Sequence, residues 1–399
     1  MQSVGGIVSG MSPLLYLIRL LDEVGEGMGC AGSVNKYQVG TVTTETLPLC
    51  EWVGCIGVHH PSNPFHHKAF LSNEFLSSLS LVESNGQYYA LRKYSLGALI
   101  QKNCLHRVKH ELEAMKQLDS PFISGLFTQW FDNSSAYLVL EYAVGGTLRT
   151  NLETRGTYSP QEARFYASEV AVALHHIHQK DLVYRGLSTN HVMIDETGHI
   201  KLFDLSLSRA VGPKGNRTTL ALPGTTTACL TNVPGKTETM GGEQLPYLPP
   251  EALDRQHGHM YGQPVDWWSF GCLVYELLLG IPPFGMDLPT MEILNRIHTC
   301  TVHYNLSLGR DAKSCIQACL KLNSSKRATW ETIRDHPWFR MIPWKLVEDQ
   351  SIVPPFVPGR LNAGDASNWF ASHTTLPPDQ FITPEERRQV KRVFGGVFR

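Results

Sequence analysis

The sequence predicts an α+β protein of two lobes: a small antiparallel β-sheet lobe with one helix, then a hinge and a large helical lobe. Three observations predict it. Strand-like runs bounded by turn residues fill the stretch from Phe70 to Leu140. One helical stripe interrupts them, with Val108, Leu112, Met115 and Leu118 recurring at spacings of three and four. Beyond Gly145-Gly146 the periodicity is helical, and Val265 to Leu279 is apolar almost all round, as suits a helix at the centre of a domain.

The elements follow in order. Residues 1 to about 65 are rich in Gly, Ser and Thr and end in His59-His60-Pro61, which predicts a poorly ordered extension. Within it Pro13 to Leu21, broken by Arg19, suits a short amphipathic docking helix and is too short to span a bilayer. The small lobe is placed at 66–141, with a turn at Asn85-Gly86 and strands at Tyr88-Tyr89-Ala90-Leu91 and Ala136 to Leu140. The large lobe is placed at 142–339. Its first long helix opens at Ser159-Pro160-Gln161-Glu162, where a Ser N-cap, a Pro in the first turn and a Glu three residues on form a capping box. Two short strands, His191 to Ile194 and His199 to Phe203, flank the turn Asp195-Glu196-Thr197-Gly198. Residues 340–399 read as a Pro-rich extended tail.

Bulk composition narrows the function classes. The chain has 399 residues, 42% hydrophobic and 18% charged, with a formal net charge of -1. That balance supplies no global field to draw nucleic acid or an acidic membrane, so no nucleic-acid partner and no membrane span are expected. Nine cysteines without a CxxC pair suit a reducing compartment, cytoplasm or nucleus. Cys315 and Cys319, one helical turn apart, lack the partners of a zinc site and read as core.

Several strings, in order, resemble the signature set of protein kinases: Tyr89-Ala90-Leu91-Arg92, Tyr184-Arg185-Gly186-Leu187, Asp204-Leu205-Ser206, Pro249-Pro250-Glu251 and Asp266-Trp267-Trp268-Ser269-Phe270-Gly271. Arg164-Phe165-Tyr166-Ala167 and the tail strings Pro355-Phe356-Val357-Pro358 and Gly364-Asp365-Ala366-Ser367-Asn368 are similar to the cAMP-dependent branch of the AGC group. The resemblance covers about residues 66 to 399. It implies a bilobal kinase fold with an AGC-type C-terminal tail, and ATP with magnesium as cofactors.

The same resemblance shows where this chain departs from the chemistry. Phosphoryl transfer needs a glycine-rich cover, a phosphate-gripping lysine, metal-holding Asp and Asn, and an oriented base. The stretch Phe70 to Ser80, where the cover belongs, has no glycine. Arg92 stands in the lysine slot, open to two roles: a structural pair with Glu111 or a nucleotide contact. Glu141 falls at a nucleotide-side position of the hinge. The base position is Gly186, the following Lys is Ser188, and the metal-holding Asn is His191. Asp204 keeps the metal position, either for magnesium or for local backbone hydrogen bonds.

Other positions match the family's scaffold: Arg185, the buried pair Glu251 and Arg327, and Asp266 beneath the catalytic loop. Thr237 and Thr239 lie where a phosphorylated Thr is expected to meet Arg185, and both also read as plain exposed threonines. The Gly-Thr pair of the family is replaced by Glu243-Gln244. Of the acidic positions that select basic peptides, Thr147 and Asn190 fill two and only Glu276 is acidic. Phe394-Gly395-Gly396-Val397-Phe398 resembles the hydrophobic motif that AGC tails dock on the small lobe, and Trp369 falls where the tail crosses the cleft. The expectation is a pseudokinase that acts by binding an active kinase or a kinase regulatory subunit. An active serine/threonine kinase, with Asp181 as substitute base, and an ATP-binding switch are the alternatives.

Overall fold

The structure is a computed structural model that describes residues 65–74, 76–211, 244–253, 262–305, 308–359, 364–369 and 381–395. Residues 1–64, Thr237, Thr239, Glu243 and Phe398 lie outside them.

The sheet is built from β1 (His66–Glu74), β2 (Ser77–Ser84) and β3 (Gln87–Ser95), then β4 (Leu126–Phe131) and β5 (Ser135–Glu141). Every neighbouring pair is antiparallel, in the order β1-β2-β3-β5-β4. In β2 burial alternates along most of its length, because one face packs on the core. Asn85 and Gly86 both take positive φ, 53° and 77°, the mirror-image turn that matches the twist of the β2–β3 hairpin. The first strand begins at His66, four residues before the apolar pattern starts. His66, His67 and Lys68 are exposed on an edge strand, so no alternation marks them. The β4 strand, the other edge, carries no strong alternation either, since most of its residues are half-buried.

Between β3 and β4 lie the short α1 (Leu96–Gln101) and α2 (Leu105–Met115), the latter presenting Val108 and Leu112 to the core. The helical lobe opens with α3 (Leu148–Arg155) and α4 (Pro160–Gln179). The predicted capping box at the start of α4 is formed, with Ser159 and Glu162 side chains satisfying each other's backbone N–H. Short strands follow: β6 (Leu182–Val183), β7 (Val192–Ile194), β8 (Ile200–Leu202) and β9 (Arg209–Ala210), pairing as β6–β9 and β7–β8. Next come α5 (Pro250–Leu253), α6 (Pro264–Leu279), α7 (Thr290–Thr299), α8 (Arg310–Cys319) and α9 (Trp330–Arg334). Helix α6 is buried from Val265 to Leu277 and stops at Gly280 in the left-handed region, φ 81°. One hydrophobic core runs from Leu71 in the sheet to Phe394 of the tail.

The tail is not extended throughout. It contains α10 (Trp344–Glu348) and α11 (Pro384–Phe394). Helix α11 starts with a second capping box, Thr383 with Glu386, and buries Val390 and Phe394. Phe394 docks edge-on against Phe131 with ring centroids 5.7 Å apart. Asn368 and the Pro354 to Phe356 stretch approach so closely that Gly146 and Gly198, with φ of 70° and 94°, have no room for a Cβ beside the carbonyls of Asn368 and Phe356. No helix among the described residues is long and apolar enough to cross a membrane.

Candidate active site

The site forms where β3, α2 and the segment after β8 meet. Arg92, in the middle of β3, lies between Leu79 of β2 and Leu138 of β5, and its side chain is 2% exposed. Its Nη1 donates to Glu111 Oε1 at 2.7 Å, its Nη2 reaches Asp204 Oδ2 at 2.9 Å, and its Nε donates to Ser77 Oγ at 3.3 Å. The guanidinium also lies 5.2 Å from the Tyr94 ring and 5.3 Å from that of Phe203. Glu111, fully buried, takes a further bond of 2.6 Å from the Tyr94 hydroxyl. Of the roles open to Arg92 from sequence, the pair with Glu111 is formed, and Asp204 extends it to a bridge between two buried carboxylates.

Asp204 takes the left-handed conformation, φ 57°, and its Oδ1 accepts the Ser206 N–H at 3.0 Å. Burial alone would raise its pKa, yet the charge of Arg92 and the nearby His191 hold the carboxyl well below the usual range. The His191 ring lies between Asp204 and the catalytic-loop backbone, Nε2 at 3.6 Å from Asp204 Oδ2 and Nδ1 at 2.6 Å from the Gly186 carbonyl oxygen. Gln244 bridges the same corner, its Nε2 at 2.9 Å from His191 Nδ1 and 3.0 Å from Ser188 Oγ.

At Gly186 a side chain would have space. The nearest atoms to a Cβ built there are the Asp204 carbonyl at 3.4 Å, His191 Nδ1 at 3.7 Å and the Tyr184 ring at 3.7 Å, none of them a carboxylate. Asp181, the substitute base weighed above, is exposed on the turn before β6. The loop itself is held from below. Asp266 Oδ2 accepts the Tyr184 N–H at 2.9 Å, its Oδ1 accepts the Arg185 N–H at 2.7 Å, and His178 Nε2 lies 2.8 Å away. These bonds fix Arg185 at φ 65°, a conformation few non-glycine residues adopt.

Arg327 grips Glu251 with two bonds, 2.7 and 3.1 Å, and also donates to the carbonyls of Pro264 and Lys321. Glu141 turns toward Lys201, Oε1 to Nζ 3.0 Å, a partner that sequence reasoning missed; no motif marks Lys201. Glu276 is also fully engaged. Its carboxylate accepts from Arg149 at 3.1 Å, Thr189 at 3.1 Å and the Tyr247 hydroxyl. Thr147 caps α3 through a bond from the Thr150 N–H at 3.1 Å. Across the hinge, Tyr142 bonds the Asp365 carbonyl at 2.5 Å, Trp369 Nε1 donates to the Ala143 carbonyl at 3.0 Å, and Asn368 donates to Val144 at 3.0 Å.

On α2, His106 and His110 are held at a pKa of about 4, first by burial and then by Arg209 and other cations. That field lies around Arg107, Arg185 and Arg209. No group of three or more His, Cys, Asp or Glu side chains that could hold a metal ion occurs among the described residues.

The family comparison agrees with this frame. The protein kinase domain family matches residues 77–339. The chain is 32% identical to the cAMP-dependent protein kinase catalytic subunit PRKX of Mus musculus, over 71% of this chain and 74% of that protein. It is 31% identical to ribosomal protein S6 kinase beta of Caenorhabditis elegans, over 74% of this chain and 50% of the relative. The chain belongs to the protein kinase family, on its AGC-like serine/threonine side.

Proposed function

We propose that this chain is a pseudokinase, an AGC-type kinase fold that signals by binding a protein partner, an active kinase or a kinase regulatory subunit. The observation that carries this reading is the surroundings of Gly186: where a base must take the acceptor's proton, the nearest groups are a carbonyl, an imidazole turned to the loop backbone and a phenol ring. A missing base removes a rate factor of roughly 10²–10⁴.

The donor set supports the same reading. Magnesium demands a near-octahedral set of hard oxygens. Asp204 instead spends Oδ2 on Arg92 and Oδ1 on Ser206, and an imidazole stands in the second metal position. The β1–β2 turn lacks glycine, and Leu76 there sits at φ 64° with its side chain in the core. These residues do not fit a magnesium–nucleotide pair. Thr237 and Thr239 are proposed as phosphorylation sites, a phosphate there being able to pair with Arg185.

Incubating the full chain with labelled ATP, magnesium and a basic peptide tests the proposal. No transfer is expected. Transfer at ordinary enzymatic speed that vanishes in Asp204→Ala overturns the reading in favour of an active kinase.

A further inference from the structure

A cavity of about 770 Å³ opens in the helical lobe, remote in sequence from the Arg92 cluster and sharing no residue with it. It lies where the start of α4, the end of α6, the start of α8 and the Trp338 turn converge, and its size is that of a small-molecule site. Its lining is two-natured. Leu278, Leu308 and Met341 supply apolar surface, while Arg164, Arg310 and Arg340 supply three cations against one carboxylate, Asp311. Among the described residues none of these arginines forms an ion pair with a carboxylate. A surface that gathers cations without pairing them favours an anion.

Two buried polar atoms of lining residues point the same way. The Nε of Arg164 and the hydroxyl of Tyr158, a residue only 3% exposed, have no hydrogen-bond partner among the described residues. Orphaned buried donors are costly, by about 1–3 kcal/mol each, a cost that a ligand oxygen reaching them after a small side-chain shift would relieve. The Arg164 guanidinium lies 5.9 Å from the Trp338 ring centroid, within cation–π range. Helix α8 adds its N-terminal N–H groups, because Gly309 in the cap position offers no side chain to satisfy them.

We infer that this cavity binds a small organic anion, a phosphate or carboxylate head on an apolar body. The head meets Arg164, Arg310 and the start of α8, and the body lies against Leu278, Leu308 and Met341. The inference is independent of the pseudokinase reading, because its readout is binding at a site apart from the kinase cleft.

Isothermal calorimetry on the full chain tests it with phenyl phosphate, benzoate, inorganic phosphate and phenol as separate probes. One saturable site is expected for phenyl phosphate or benzoate, and which of the two binds tells phosphate from carboxylate. That site should be at least about tenfold tighter than inorganic phosphate or phenol, since charged head and apolar body contribute together. The double variant Arg310→Ala/Arg340→Ala, on exposed side chains, should weaken it by about tenfold or more, and Arg164→Met likewise. Absence of heat with both organic anions, equal binding of inorganic phosphate, or unchanged binding in the exposed double variant overturns the inference. The double variant decides the matter even if Arg164→Met fails to fold.

Discussion

Without the guanidinium of Arg92, two buried carboxylates, Glu111 and Asp204, lose their shared partner. Arg92→Met should therefore lower stability by about 3–5 kcal/mol, read as a drop in urea midpoint at unchanged slope. Arg92→Lys should fall between the two, since an ammonium lacks the fork that serves both oxygens at once. Acid should act at the same place. The depressed pKa of Asp204 means that its contribution is complete above the unfolded value, about 3.9, and is lost as pH falls below it toward the lower folded value. His106 and His110 act earlier: with folded values near 4 and unfolded ones near 6.5, stability declines as pH falls from about 6.5 to 4. Denaturant midpoints across that window should flatten in His106→Gln/His110→Gln. Asp204 and Asp266 stand in short ordered strings, and Glu111 and Arg327 match positions of the family scaffold. For Arg92 the pair with Glu111 was one of two readings, and its second carboxylate, Asp204, could not be read. Its partners come from three distant segments, and no local pattern says which carboxylate a buried arginine meets.

Among the elements, the two capping boxes offer matched tests. Ser159→Ala at α4 and Thr383→Ala at α11 should each cost about 1 kcal/mol, but with different consequences. The long α4 is packed along most of its length, so its loss should appear in global melting. Helix α11 is anchored chiefly by Val390 and Phe394, so hydrogen exchange there should rise while the rest is unmoved. Phe394→Ala should release the same helix, a loss of about 3–5 kcal/mol of local docking, checked by exchange over residues 384–394. The start of α11 was missed, although Thr383-Pro384-Glu385-Glu386 repeats the type of signal that announces α4. The proline-rich character of the surrounding tail obscured it. Edge strands β1 and β4 were partly or wholly hidden for a different reason: a strand with a wet side need not alternate.

For the protein as a whole, the proposed pseudokinase reading separates scaffold from chemistry. The bidentate Glu251–Arg327 pair and the Asp266 bonds under the loop hold a kinase architecture, while Gly186, Ser188 and His191 occupy the reacting corner. ATP should accordingly produce no thermal shift, with or without magnesium, because a ligand raises apparent stability only by binding the native state. Gly186→Asp with Ser188→Lys should fold, at least at the first position where the nearest atom to a new Cβ is 3.4 Å away, and should restore no transfer. The Arg92 bridge and the glycine-free turn remain in that variant. A large gain in a radiolabel assay would mean that the cleft still takes nucleotide.

The bonds from Tyr142, Ala143 and Val144 to residues 365–369 join positions 223 to 226 apart in the chain. Closing so long a loop in an unstructured chain is entropically unfavourable until the intervening elements have already shortened the path. This belt across the waist should thus be the last part of the molecule to fasten during refolding. In stopped-flow traces, the slowest fluorescence phase should be the one that Trp369→Phe removes.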